Sequence, residues 1–122
     1  MSTLLKKFIT SCSLTFKAFD HEIVMSQSKS TLWNFTAHHY QNEKNYAVYC
    51  APKINSAKAL IKVALKKVPK DTRLVVVTSS YTPEEKVQAD REGYALVTLD
   101  KLSQYGTEMI EIKEREKALQ AS

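Results

Sequence analysis

Cations crowd one stretch of this 122-residue chain. Lys53, Lys58, Lys62, Lys66, Lys67, Lys70 and Arg73 fall between positions 53 and 73, where the single acid is Asp71. Lys58, Lys62 and Lys66 recur at the four-residue spacing that brings side chains onto one helical face. Such a ridge can track a phosphate backbone by charge. Rich in lysine and nearly free of arginine, it suits backbone contact better than the reading of base edges. A solvated helix face accounts for the same pattern without a partner.

Other groups are weaker candidates. Thr78, Ser79, Ser80, Tyr81 and Thr82 form a hydroxyl cluster between an apolar run and a helix start. That is a place where free backbone N–H groups favour anions. Glu84 and Glu85 would repel phosphate there, so capping by Thr82 is the simpler role. His38 and His39 are neighbours in a strand pattern and point to opposite faces, which disfavours one shared metal. Cys12 and Cys50 are too few for a disulfide scaffold and lack zinc-site spacing. Cys50, inside a strand pattern, reads as a small core residue. Trp33, Phe35, Tyr40, Tyr46 and Tyr49 concentrate aromatics that pack across strands or, where exposed, stack bases or anchor a partner. The two glycines, Gly93 and Gly106, cannot build a Gly-rich phosphate loop. No metal and no cofactor is expected.

The elements that must position these residues are legible. Hydrophobic residues at 43% and charged residues at 25% are globular values, and the length fits one domain over residues 1–122. The net charge of +5 is compatible with an anionic partner. No apolar run approaches the roughly 18 residues of a membrane span. Lys6 and Lys7 precede a polar stretch rather than the apolar core of a secretory signal, so a cytoplasmic protein without membrane contact is expected.

Leu4, Leu5, Phe8, Ile9 and Cys12 have helical spacing, with Ser2 or Thr3 as a cap. Glu22–Ser26, Thr31–Tyr40 and Tyr46–Ala51 read as an antiparallel meander. Trp33, Phe35 and Ala37 would share one face of its middle strand. Asn55 or Ser56 would cap a helix to Val68, with Ala57, Leu60, Ile61, Ala64, Leu65 and Val68 as its core stripe. Leu74-Val75-Val76-Val77 is apolar on both faces, which marks a strand covered on both sides. Thr82, Pro83, Glu84 and Glu85 start a helix that Gly93 stops. Tyr94–Leu99 is a further strand, and Thr107–Ala118 a last helix. The expected fold is α/β, a mixed sheet with an N-terminal meander followed by strand–helix crossovers, in the order α-β-β-β-α-β-α-β-α.

This order resembles the restriction-endonuclease-like fold, in particular the Mrr-type nuclease domains. The closest local match is Arg73–Leu102. There a buried strand ends in Val77-Thr78-Ser79-Ser80, Thr82 opens a helix containing Ala89, and the strand Val97-Thr98-Leu99 leads to Asp100 and Leu102. The likeness implies a sheet that, in active members, carries an Asp near the second strand and an acid and a Lys two apart on the third, holding a divalent metal and activating water. Those positions fall on Trp33 or Asn34, on Tyr49 and on Ala51, none of which matches. The likeness therefore implies the scaffold without the hydrolysis. Displaced ligands (Asp20, Glu22 or Glu43, with Lys53 or Lys44 as the base) would make a metal nuclease. The expectation is a non-catalytic, nucleic-acid-associated protein that contacts phosphates through the lysine helix. A protein–protein or homodimeric regulatory module is the alternative from another class.

Overall fold

The computed structural model describes residues 3–26, 32–41 and 43–106. Its elements are α1 (Thr3–Ala18), β1 (His21–Met25), β2 (Phe35–His39), β3 (Asn45–Cys50), a 3-10 turn (Ile54–Ser56), α2 (Lys58–Lys67), β4 (Thr72–Thr78), α3 (Pro83–Glu92), β5 (Ala95–Thr98) and α4 (Leu99–Tyr105). The five strands lie side by side in chain order. β1, β2 and β3 are antiparallel neighbours, whereas β3, β4 and β5 run parallel.

Leu74, Val75, Val76 and Val77 are buried along the length of β4. Alternation along a strand sends Val75 and Val77 to one face and Leu74 and Val76 to the other. The first pair packs with Ile9, Cys12 and Phe16 of α1 and Leu102 of α4. The second pair packs with Ile61 and Ala64 of α2 and Ala89 of α3. Two successive right-handed crossovers that advance in one direction put their helices on one face, and α2 and α3 share a core accordingly. The result is three layers, helix–sheet–helix, with the expected order of elements. Among the described residues no helix is long and apolar enough to cross a membrane.

Local signals explain most boundaries. Thr82 and Glu85 form a reciprocal capping box: the Glu85 N–H donates to Thr82 Oγ1 at 3.2 Å, and the Thr82 N–H donates to Glu85 Oε1 at 2.8 Å. Gly93 ends α3 in the left-handed region at φ 94°. Leu99 opens α4 instead of closing β5, because Thr98 Oγ1 accepts from the Lys101 N–H at 3.2 Å and caps a new helix. The expected helix at 107–118 lies outside the described residues, as does the Ser2 cap.

Three details differ from expectation. Neither Asn55 nor Ser56 caps α2. The chain closes a 3-10 turn there, with the Ala57 N–H bonded to Ile54 O at 2.9 Å, and α2 starts without a side-chain cap. Leu60 stays 47% exposed while Ile61 and Ala64 dock the helix, so the buried stripe is narrower than its apolar pattern. Trp33 does not share the face of Phe35 and Ala37. The chain bends at Trp33 and Asn34, and Trp33 packs against the α2 side of the sheet.

Gly106 sits at φ 62° and ψ −150°, a region that only glycine visits readily. A Cβ there would come within 2.5 Å of Phe19 Cδ1, whereas one at Gly93 would meet nothing within 4 Å. In urea unfolding, Thr82→Ala should cost about 1 kcal/mol and Gly93→Ala about 1–2 kcal/mol of backbone strain. Gly106→Ala should cost clearly more than Gly93→Ala. Equal losses for the two glycine variants would contradict the close α1–α4 seam.

Candidate functional site

The sheet has two ends with different chemistry. At one end β1 starts, β2 finishes, and β3 and β4 start, as the pairings His21↔His39, His38↔Asn45 and Asn45↔Thr72 show. At the other end β3 and β4 finish, together with the start of β2. The apolar side of α2 docks through Ile61 and Ala64, which turns Lys62, Lys66 and Lys67 to solvent. Lys53 is exposed beyond the end of β3, and Lys70 is exposed in the loop before β4. Lys58 is half-buried. Arg73 is half-buried inside β4, opposite Tyr46. The cationic line thus follows α2, about 15 Å long at 1.5 Å per residue, and reaches both sheet ends.

The structure adds two features to this line. Leu60 and Val63, 47% and 42% exposed, lie among the lysines. Lys62 Nζ lies 3.7 Å from Glu92 Oε1 of α3, a loose surface pair worth little by itself. Towards the α2–β4 loop, Lys44, Lys70 and Arg73 line a polar cleft of about 480 Å³ that also takes in Glu43 and Asp71. The excess of positive charge is therefore diluted at that end.

Two hydroxyls of the cluster, those of Thr78 and Thr82, are engaged in structural bonds. Thr78 is buried and its Oγ1 lies 3.2 Å from Pro52 O and 3.3 Å from Ser80 O, as a donor. Glu85 is buried over the start of α3 and bonded to Thr82 there. A carboxylate already occupies the place an anion would take.

Asn34, Tyr49 and Ala51 do converge, at the carboxyl end of β3. The Asn34 N–H donates to Val48 O at 2.8 Å, and its Oδ1 accepts from the Cys50 N–H at 2.7 Å. Asn34 thus works as a backbone clamp between β2 and β3. Burial pushes the Tyr49 phenol above its usual range, so it stays a neutral donor. The displaced candidates are split between the ends. Asp20, Glu22, Glu43 and Lys44 lie where β1 and β3 begin, while Lys53 lies beyond the end of β3. Six residues of strand separate them by about 20 Å. Among the described residues, no group of three or more His, Cys, Asp or Glu is placed to hold a metal ion.

The histidines divide as strand alternation requires. His21 is buried, with Nδ1 3.1 Å from Phe16 O and its ring edge-on to His39 at 4.8 Å. His38 instead meets Asn45 Oδ1 through Nδ1 at 2.6 Å. Cys12 and Cys50 are both buried and free. A hydrogen bond with Cys12, followed by burial, pushes the Cys50 thiol far above its ordinary range. Sequence reasoning missed a groove at the carboxyl ends of β3 and β4, because it is assembled from α1, β3 and two loops that are distant in the chain.

The chain matches no family model, and neither a curated protein nor a solved structure matches it significantly.

Two measurements check these electrostatics. Both thiols should resist Ellman's reagent in the native protein and react once it is unfolded in guanidinium. The second concerns alkaline stability. Folding raises Cys50 above 9.0 and Tyr49 and Tyr94 above 10.0, by burial for Tyr49 and by burial with the charges of Glu92 and Glu85 for Tyr94. The native state then keeps protons that the unfolded chain releases. This contribution is full below about pH 9 and is lost as pH rises further. The urea midpoint should fall from about pH 9 upward, and Tyr49→Phe should make that fall shallower. A midpoint independent of pH up to 11 would contradict the assignment.

Proposed function

We propose that this chain is a non-catalytic, nucleic-acid-associated protein on a degenerate nuclease-like scaffold, with the α2 lysines holding a phosphate backbone. The observation that carries this reading is the exposure of Lys53, Lys62, Lys66, Lys67 and Lys70 along one helix and its flanks. Ammonium groups on flexible stems suit a backbone, which presents charge without sequence information. Leu60 and Val63 among them would meet sugars or the faces of unpaired bases. The likeness to Mrr-type domains contributes the scaffold, and Asn34, Tyr49 and Ala51 supply no carboxylate for a metal at the positions it assigns. In this reading the protein works in the reducing cytoplasm, where its thiols stay free.

A second reading rests on a different surface. β1 is an edge strand whose Val24 and Met25 are exposed. These residues would serve a protein partner or a second copy. Salt separates the two readings, since backbone binding weakens steeply with salt and apolar docking does not.

The test is a fluorescence-anisotropy titration of labelled duplex and single-stranded oligonucleotides across salt concentrations. If the exposed lysines each neutralise one duplex phosphate, log K should fall against log salt with a slope of about −4 to −5. Changing Lys66, Lys67 and Lys70 to Gln should reduce that slope to about −2 and leave the circular dichroism spectrum unchanged. No binding at low salt would sink the proposal. Cleavage with added Mg²⁺ or Mn²⁺ would replace it with a nuclease whose ligands lie elsewhere.

A further inference from the structure

The carboxyl ends of β3 and β4 open into a groove of about 670 Å³. Ligand pockets span roughly 300–1,000 Å³ and are mostly apolar with a few convergent polar groups. One wall is α1, through Leu4, Leu5 and Phe8. Leu4 is 78% exposed, an arrangement that no core contact explains. The opposite rim carries Lys53, Ser56 and Ser79. Ala51 and Ala57 line the groove as well, and their single methyl groups leave the space open. The floor is fixed by backbone bonds from the Ala51 N–H to Val77 O at 2.8 Å and from the Ser79 N–H to Pro52 O at 3.3 Å. It is therefore formed before any ligand arrives, which lowers the ordering cost of binding.

The lining is strongly sorted. Among the described residues Lys53 is its one charged side chain, and Ser56 and Ser79 line the groove with it. Apart from the largely buried Cys50 thiol, the rest of the described lining is aliphatic or aromatic, with the Tyr49 phenol as a further donor. Such a surface offers a cation and hydroxyls to one end of a molecule and apolar contact to the remainder. A nucleotide would need polar partners for its base and sugar along its whole length, and the α1 wall provides none. A small carboxylate without a chain would leave that wall wet.

We infer that this groove binds a free amphipathic carboxylate, with the head group on Lys53 and the Ser56–Ser79 rim and the apolar chain along Leu4, Leu5 and Phe8. The site does not depend on the nucleic-acid reading, because its walls come from α1 and the strand ends, not from the outer face of α2. Lys53, at the start of the cationic line, is the one residue the two surfaces share.

The test is a two-dimensional amide NMR titration of the full chain with decanoate below its micelle concentration. Acetate serves as a head-only control, and decyltrimethylammonium as a chain with the opposite charge. Decanoate should shift the amides of Ala51, Lys53, Ser56 and Ser79 saturably, while acetate should not shift them and the cationic chain should bind at least tenfold more weakly. Lys53→Gln should weaken decanoate about tenfold, the size expected for losing one charge-assisted hydrogen bond. Ser56→Trp, at an exposed position, should block the groove without unfolding the protein. The inference is overturned if decanoate leaves these amides unmoved, if the two chains bind alike, or if Lys53→Gln binds as tightly as the parent. It is also overturned if the same amides shift with protein concentration alone, which would give the groove to a second copy.

Discussion

Burial of β4 on both faces is the constraint from which the rest of the architecture follows. Val75 and Val77 point one way, Leu74 and Val76 the other, and all are fully buried. A strand with no polar face cannot sit on the surface of a two-layer domain. It requires helices above and below, and the chain supplies α1 and α4 on one side and α2 and α3 on the other. This arrangement leaves α2 one outward stripe, and the lysines occupy it. The position of the cationic line is thus a consequence of how the core is closed.

Much of this was legible because the signals are local. Thr82, Pro83, Glu85 and Gly93 determine α3 within a dozen residues through a cap, a fixed φ, a reciprocal hydrogen bond and a left-handed stop. The apolar run of β4 and the lysine spacing on α2 are equally local. What failed depended on distant partners. Trp33 has the period-2 pattern of Phe35 and Ala37, but the chain bends before β2 begins, where the Asn34 N–H donates to Val48 O and Asn34 Oδ1 accepts from the Cys50 N–H. Leu60 has a core residue's spacing, but Ile61 and Ala64 already fill the contact with the sheet. Leu99 has strand propensity, and Thr98 overrides it with a cap.

The candidate sites divide in the same way. Lysine exposure was readable because a helix docked by one face must show the other. The groove at the strand ends was not readable, since Leu4, Tyr49, Ser56 and Ser79 belong to separate elements that meet only through the packing of α1 on the sheet and the pairing of β3 with β4. The dispersal of Asp20, Glu22 and Glu43 from Lys53 is likewise a property of sheet register. The β1–β2 hairpin brings the chain back to the end where β1 began, which puts Glu43 with Asp20 and Glu22, and β3 then carries it across the sheet to Lys53.

That division of the sheet bears on function. Glu43 and Asp71 sit with Lys44, Lys70 and Arg73 at the amino ends of the parallel strands, where opposite charges offset one another. At the carboxyl ends, the Asn34 side-chain amide ties β3 to the segment before β2 by accepting from the Cys50 N–H. A carboxylate at that point could also accept the Cys50 N–H, but it would carry a negative charge next to an apolar wall, and without a metal it would pay a desolvation cost. The neutral amide accepts the same bond without that penalty. The neutral clamp leaves this end of the sheet largely apolar, and among the described residues Lys53 is the one charged group lining its groove.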